Sequence, residues 1–229
     1  AEVLRAASPE VGIFAYSGVS PSVLANRVSY LLGVHGPSEA VDTACSSALV
    51  AIHRARLALL HGECELAIAG GVNALITPEF FISFSRAGML SPDGRCRTFS
   101  SAANGYVRGE GVGAVVLKPL AAARANGDHI YAVIRGSAVN HGGRASSFTA
   151  PNPTAQARLL VAAYEDADIP PQSVSYLEAH GTGTPLGDPI EVNGLKQAFA
   201  TLYARAGLEP PTAPHCGLGS VKTNIGHLE

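Results

Sequence analysis

The stretch that decides the fold is VDTACSSALVAIHRARLALLHG, residues 41–62, in which a cysteine directly precedes a long apolar run. Only His53, Arg54 and Arg56 interrupt the apolar side chains between residues 48 and 60, and neither proline nor glycine occurs before Gly62. A run of this length and character predicts a helix that is buried on most sides.

Cys45 would lie in the first turn of that helix. There the unpaired backbone N–H groups and the positive end of the helix dipole favour a thiolate over a thiol. Cysteine is also among the most frequently buried residue types, so a packing role is the alternative at this point. A nucleophilic role depends on other reactive side chains elsewhere in the chain.

The composition excludes several classes of protein. With 229 residues, 47% hydrophobic and 15% charged, the chain is expected to build a substantial core and not to be disordered. A formal net charge of −2 without a basic cluster argues against nucleic acid and against a membrane surface as partners. No apolar run reaches the roughly 18 residues that span a bilayer, and no signal peptide is apparent.

The cysteines and the chain ends carry further expectations. No C-x-x-C pair occurs, which argues against a metal site or a disulfide scaffold and favours a reducing cytoplasm; the four cysteines are Cys45, Cys64, Cys96 and Cys216. The chain begins without methionine and stops at GHLE, directly after a glycine-containing turn. We therefore expect a piece of a longer protein.

Strand and helix patterns alternate along the chain. Helices are predicted over residues 20–33, 46–62, 78–88, 154–167 and 188–206. Strands are predicted over residues 11–16, 65–72, 113–118, 131–140 and 173–180, with a last short strand and turn over 217–226. This alternation predicts an α/β fold with a largely parallel sheet, and residues 65–72 are typical of a buried parallel strand.

Two histidines follow predicted strands. EAHGTGTPLGDPIE, residues 178–191, places His180 after one strand, and GSVKTNIGHLE, residues 219–229, places Lys222 and His227 after another. Groups at the carboxyl ends of strands gather at one edge of an open α/β sheet, so we expect both histidines to converge with Cys45. The neighbouring glycines permit close approach of a ligand. The other six histidines lack such a setting, and we interpret them as structural.

Two further stretches have simpler interpretations. Asp188, Pro189 and Glu191 fit the N-cap, N1 and N3 positions of a helix, which alone would explain them. The glycines of GYVRGEGVGAVVLK, residues 105–118, do not follow the G-x-G-x-x-G spacing, and a strand follows them instead of a helix. A phosphate-binding loop is therefore excluded there.

Taken together, VDTACSSAL, EAHGTGT and KTNIGHLE resemble the three catalytic signatures of the β-ketoacyl synthase family, most closely the ketosynthase domains of modular polyketide synthases. ANRVSYLLGVHGPS, GMLSPDGRCRTF and GYVRGEGVGAVVLK extend the likeness over nearly the whole chain. The resemblance implies a thiolase-like layered α-β-α-β-α fold, incomplete in this chain. A cysteine-bearing part would cover about residues 1–120, and a histidine-bearing part about residues 121–229.

The resemblance also implies an acyltransferase activity in polyketide biosynthesis. Cys45 would carry an acyl group as a thioester, and a malonyl-type extender on acyl carrier protein would condense with it in a decarboxylative Claisen reaction. His180 and His227 would assist decarboxylation and stabilise the enolate, and one backbone N–H at Cys45 would help form an oxyanion hole.

Other residues and partners enter only through this resemblance. Lys222 would support the histidine pair, with Asp188 as its partner and Glu191 close by, and Thr182 and Thr184 would hydrogen-bond the phosphopantetheine arm. The domain would bind no cofactor or metal itself, because phosphopantetheine belongs to the carrier protein. A second copy of the chain would complete a homodimer.

Several alternatives stay open. A ketosynthase that transfers chains without extending them often lacks the HGTGT histidine, whereas His180 is present. A Cys–His hydrolase would require one histidine with an orienting Asn or Asp. A non-enzymatic scaffold would form no thioester. NHGGRASSFTAPNPTAQ and LGDPIEVNGLKQAF, residues 140–156 and 186–199, favour an assembly line served by a separate acyltransferase.

Overall fold

The computed structural model describes residues 12–145, 147 and 150–229. They form two compact units. The first comprises the described part of Ala1–Glu79 together with Glu110–Ile130 and Glu229, and the second comprises Phe80–Gly109 and the described part of Tyr131–Leu228.

The described residues form helices and short strands in alternation. In chain order, the helices are α1 (Ala15–Val19), α2 (Ser22–Leu32), α3 (Ser47–Leu60), α4 (Glu79–Arg86), α5 (Leu120–Ala125), α6 (Pro153–Ala167), α7 (Gly187–Ala206) and α8 (Lys222–Ile225). The strands are β1 (Ala67–Asn73), β2 (Gly111–Leu117), β3 (Tyr176–Glu178) and β4 (Gly217–Gly219), and a 3-10 turn covers Pro171–Ser173. The five predicted helices are confirmed to within a few residues at their ends.

In the first unit, β1 and β2 pair in antiparallel orientation, from Ala67 opposite Leu117 to Asn73 opposite Gly111. The prediction of a buried parallel strand over residues 65–72 was therefore wrong. An apolar run reports burial tendency, but it carries no information about the direction of the neighbouring strand. Helix α3 packs against β1, where a Cβ added at Gly71 would lie 3.2 Å from the Cβ of Ala48.

Helix α3 is less buried than its sequence predicts. Most of its residues are half-buried, and Leu49 and Leu60 are 72% and 63% exposed. Strand β1 is the main partner of α3 among the described elements, so only one side of the helix is covered. The strand predicted over residues 11–16 was also wrong, since helix α1 begins at Ala15; Val11 lies outside the described residues.

The second unit is built on the packing of α6 against α7. The Asn152 side chain accepts hydrogen bonds from the backbone N–H groups of Thr154 and Ala155 at 3.1 and 3.2 Å, which confirms the predicted N-cap of α6. The helices bury a small apolar core formed by Ala157, Val161, Ala198 and Leu202. Gly194 allows their close approach, because a Cβ there would lie 2.9 Å from Oε1 of Gln156.

Residues 131–140 do not form the predicted strand, since the structure gives them no ladder partner among the described residues. They lie instead along the end of α6. Ser137 N–H donates to the Asp166 carboxylate at 2.9 Å, and a Cβ at Gly136 would lie 2.4 Å from the backbone nitrogen of Ala167. The Val- and Ile-rich pattern indicated strand propensity, but a strand also requires a neighbour.

Strands β3 and β4 are parallel, with Tyr176 opposite Gly217 and Glu178 opposite Gly219. His180 follows β3 directly, and the segment with Lys222 and His227 follows β4. The parallel pairing therefore brings the carboxyl ends of both strands to the same edge, as predicted. None of the helices in the described part of the chain is long and apolar enough to cross a membrane.

Candidate active site

Cys45 lies on a sharp turn that leads into α3. Ala44 has φ 54°, a left-handed conformation that costs a non-glycine residue about 1–2 kcal/mol. The turn is held by Ser47, whose hydroxyl accepts from Thr43 N–H at 2.9 Å and donates to the Ala44 carbonyl at 2.7 Å. The first-turn placement of Cys45 was wrong: Ser46 is the N-cap, and Cys45 is the exposed residue directly before it.

The second unit brings His180 and His227 together. Their ring centroids lie 5.3 Å apart with an angle of 87° between the planes, so that the edge of one imidazole faces the other. His227 is 5% exposed, whereas His180 is exposed. The predicted convergence of the two histidines is confirmed, and their convergence with Cys45, which belongs to the first unit, stays a prediction.

The Glu191 carboxylate holds the loop that carries His180. Its two oxygens accept hydrogen bonds from the backbone N–H groups of His180 and Gly181, at 2.7 and 2.8 Å. Thr98 adds a third bond by donating its hydroxyl to the Gly181 carbonyl at 2.6 Å. The backbone at His180 is therefore fixed from α7 and from residues 97–99, which limits where the imidazole can lie.

Asp188 binds the same loop one turn earlier on α7. Its carboxylate accepts from the N–H groups of Gly183 at 3.1 Å and Phe99 at 2.6 Å, and the residue is 5% exposed. Gly183 has φ 78°, and a Cβ there would lie 2.8 Å from the backbone nitrogen of Arg97, so only glycine fits.

The helix-capping interpretation of Asp188 and Glu191 was wrong. Leu186 is the N-cap of α7, and both carboxylates bind N–H groups outside that helix. The D-P-I-E pattern resembles a capping sequence because acidic residues are favourable in a first turn in either case. Among the described residues, no ion pair joins Asp188 to Lys222.

The charged groups around His180 shift its pKa in opposite directions. Although the side chain of His180 is exposed at the surface, the protein atoms around its ring displace part of its water and lower its pKa below 6.5, and the positive charge of Lys222 lowers this pKa further. The carboxylates of Glu191 and Asp188 act in the opposite direction. Because the net shift is downward, His180 is a neutral imidazole at pH 7.

The segment after β4 is anchored by two side chains that sequence reasoning missed. Glu178 accepts from Val221 N–H at 2.6 Å, and this bond, with a second from the Tyr176 hydroxyl, lowers the pKa of Glu178. Ser220, which is 7% exposed, donates its hydroxyl to the His180 carbonyl at 3.3 Å. The sequence could have indicated both residues only through their positions at the ends of the strands β3 and β4.

Thr182 and Thr184 lie on the His180 loop, half-buried, with their hydroxyl oxygens 3.4 Å apart. The Thr184 hydroxyl also accepts from the N–H of Gly187, the first residue of α7. The loop therefore presents two hydroxyl groups at one place, and their binding of phosphopantetheine stays a prediction.

Replacement of Glu191 tests the hold on this loop. In Glu191→Gln, one oxygen becomes an NH₂ group that faces a backbone N–H, so we expect the free energy of unfolding to fall by about 1–3 kcal/mol. Thermal unfolding measures this, with Glu209→Gln in an exposed loop as the matched control. Equal unfolding temperatures for the two variants would show that Glu191 does not hold the loop.

Comparison with protein families and known proteins places the chain. The profile of the β-ketoacyl synthase N-terminal domain matches residues 2–123, and that of the C-terminal domain matches residues 131–229. The chain is 60% identical over 214 residues to polyketide synthase PksN of Bacillus subtilis and 53% identical over 228 residues to polyketide synthase ThaG of Burkholderia thailandensis. These matches cover 93% and 100% of this chain but 4% of each relative.

Solved structures give the same placement. The oxazolomycin ketosynthase domain OzmH KS7 of Streptomyces albus JA3453 is 46% identical with a TM-score of 0.87, over 99% of this chain and 37% of that domain. The ketosynthase from module 6 of the bacillaene synthase of Bacillus subtilis 168 is 44% identical with a TM-score of 0.87, over 96% of this chain and 39% of that one. The thiolase-like fold class is thereby confirmed, while the division near residue 120 stays a prediction.

Two kinds of observation thus agree. The described residues fold like the corresponding third or so of polyketide synthase ketosynthase domains. Family profiles cover both the cysteine-bearing and the histidine-bearing stretches. The chain belongs to the β-ketoacyl synthase family.

Proposed function

We propose that the chain catalyses chain elongation in polyketide biosynthesis, by decarboxylative Claisen condensation on carrier-bound thioesters. The observation that carries the proposal is the edge-to-face pair of His180 and His227, with centroids 5.3 Å apart, and the lowered pKa of His180 favours its neutral form. Neutral imidazoles keep an N–H that donates to an oxygen on which negative charge develops.

The reaction divides into two steps. In the first, the Cys45 thiolate attacks the acyl thioester of a carrier protein, forms the Cys45 thioester and releases the carrier thiol. In the second, a malonyl thioester loses carbon dioxide to give an enolate, which attacks the carbonyl of the Cys45 thioester and frees the cysteine. The covalent intermediate replaces one difficult step by two easier ones.

The exposed position of Cys45 on its strained turn supports the nucleophilic role, because an incoming thioester needs access to the sulfur. The two imidazoles would stabilise the enolate oxygen, and the charge of Lys222 would add to the effect of desolvation in lowering the pKa of His180. Thr182 and Thr184 would bind the phosphopantetheine arm of the carrier protein. Asp188 and Glu191 would hold the loop in place.

The partners and location of the protein belong to the same proposal. Acyl carrier protein would deliver both the acyl and the malonyl thioesters, and a homodimer would be the working form. A reducing cytoplasm would accord with the wide spacing of the four cysteines in the sequence.

A labelling experiment separates this function from its alternatives. The whole protein that contains this chain is incubated with a radioactive acyl thioester, and malonyl-carrier protein is then added. Elongation predicts label first at Cys45 and then in a β-ketoacyl product on the carrier. Unextended label on the carrier would indicate a transferring ketosynthase, free labelled acid would indicate a hydrolase, and an unlabelled protein would indicate a scaffold.

Replacement of Lys222 should change the pH dependence of the condensation rate in a defined direction. Because its charge lowers the pKa of His180, Lys222→Gln is expected to raise that pKa towards 6.5. His180 then becomes protonated at a higher pH, so the acid limb of the condensation rate shifts to higher pH. Lys196→Gln, at an exposed position of α7, is the matched control. A pH–rate profile that is superimposable on that of wild type would contradict the role of Lys222.

A further inference from the structure

The His227 ring contacts an aromatic side chain in addition to His180. Tyr106, which is 5% exposed, approaches the His227 ring with centroids 5.3 Å apart and an angle of 67°. The Tyr106 ring also approaches the Phe84 ring, with centroids 6.4 Å apart and an angle of 58°. Edge-to-face ring pairs at such distances are stabilising beyond the area they bury, so these contacts favour one orientation of each ring.

The guanidinium of Arg108 lies on the phenylalanine rings of α4. Its central carbon is 4.5 Å from the Phe81 centroid, 5.4 Å from Phe84 and 5.8 Å from Phe80. Arg108 is only 9% exposed, and the attraction of a cation to aromatic faces is stronger when the cation is shielded from water. Arg108 therefore holds α4 against the segment that carries Tyr106.

The backbone completes this arrangement. His227 N–H donates to the Val107 carbonyl at 2.7 Å, and the His227 carbonyl accepts from Gly109 N–H at 2.8 Å. Arg108, the residue between Val107 and Gly109, thus forms an isolated parallel β-bridge with His227. A Cβ at Gly109 would lie 2.6 Å from the Ile225 carbonyl oxygen, so glycine is required for this close approach.

We propose that Tyr106 and Arg108 are positioning residues for His227. Arg108 clamps Phe81 and Phe84, Phe84 supports Tyr106, and the Tyr106 ring fixes the orientation of the imidazole relative to His180. The catalytic consequence rests on the function proposed above, because a displacement of about 1 Å in a catalytic group can cost 10²-fold in rate. The fixed orientation itself does not depend on that function.

A matched pair of variants tests the Tyr106 contact. Tyr106→Leu removes the ring, whereas Tyr106→Phe keeps it and removes only the hydroxyl. We expect Tyr106→Leu to slow condensation by about 10- to 100-fold and to leave the acylation rate of Cys45 near that of wild type, with rescue by Tyr106→Phe. Equal losses in both half-reactions together with a lower unfolding temperature would reduce Tyr106 to a structural residue and overturn the proposal.

A second pair tests the clamp. Arg108→Met removes the charge, and Arg108→Lys keeps the charge without the planar group that stacks on rings. If stacking holds Phe81 and Phe84, both variants slow condensation while acylation is preserved. Full recovery by lysine would show that charge alone matters, and the clamp would be wrong.

Chemical modification of histidines separates this proposal from the proposed function. Diethyl pyrocarbonate is applied to the wild type, Tyr106→Leu and Tyr106→Phe, and modification is followed by mass spectrometry at His227 and His180. We expect His227 to react several-fold faster relative to His180 in Tyr106→Leu, and Tyr106→Phe to match wild type. If His227 reacts faster in Tyr106→Leu but the protein neither acylates nor condenses, the proposed function is refuted and the positioning role of Tyr106 is supported. Equal rates of modification in all three proteins would overturn the positioning role.

Discussion

Replacing Cys45 with alanine is expected to abolish the acyl thioester and to reduce condensation by at least about a thousand-fold, since the covalent route is lost. Alanine has no thiol, so an acyl donor cannot transfer its chain to a sulfur at this position. The measurement is the stoichiometry of radioactive acyl label on the protein, together with the rate of β-ketoacyl product formation.

The matched control for Cys45→Ala is Cys64→Ser, because Cys64 is a half-buried thiol in the same unit. The control should retain both labelling and condensation. If Cys45→Ala is labelled to the same extent as wild type, another residue is the nucleophile and the proposed mechanism is wrong.

Replacing His180 or His227 with glutamine should separate the two half-reactions. Either change removes an imidazole from the pair, so we expect condensation to fall by about 10²- to 10⁴-fold while Cys45 is still acylated. Because the two rings act on one developing charge, the double variant should lose little more than either single variant.

His215→Gln, in an exposed loop of the same unit, is the control for this pair. Single-turnover rates of acylation and of β-ketoacyl formation are measured for each protein. Loss of acylation in the His180 and His227 variants would show that the histidines activate the cysteine instead, as in a Cys–His hydrolase.

The placement of both histidines could be predicted from sequence because it depends on local patterns. A short strand-like run precedes each of them, a glycine lies directly beside each histidine, and the parallel pairing of β3 and β4 brings the two run ends together. The roles of Glu191 and Asp188 could not be predicted in this way. Their hydrogen-bond partners include His180 and Phe99, eleven and 89 residues earlier, and a pattern within one helix contains no information about such distant partners.

The wrong predictions about the fold have the same cause, because they too depend on distant parts of the chain. The direction of β1 depends on β2, which lies more than 30 residues later, and residues 131–140 have a strand-like composition but are not a strand in the structure. The Tyr106 contact with His227 joins positions that no periodicity relates. The reactive residues could be predicted because they lie in short motifs. The side chains that support them come from distant parts of the chain and were found only in the structure.

The two carboxylates at the start of α7 have a consequence for chimeric enzymes. The carboxylates of Asp188 and Glu191 accept hydrogen bonds from the backbone of residues 180–183. The His180 loop is therefore held in place by the first turn of α7. A swap junction between residues 183 and 188 would combine a loop from one parent with the anchoring turn of another. Recombination points outside residues 178–191 would transfer the loop and its anchors together.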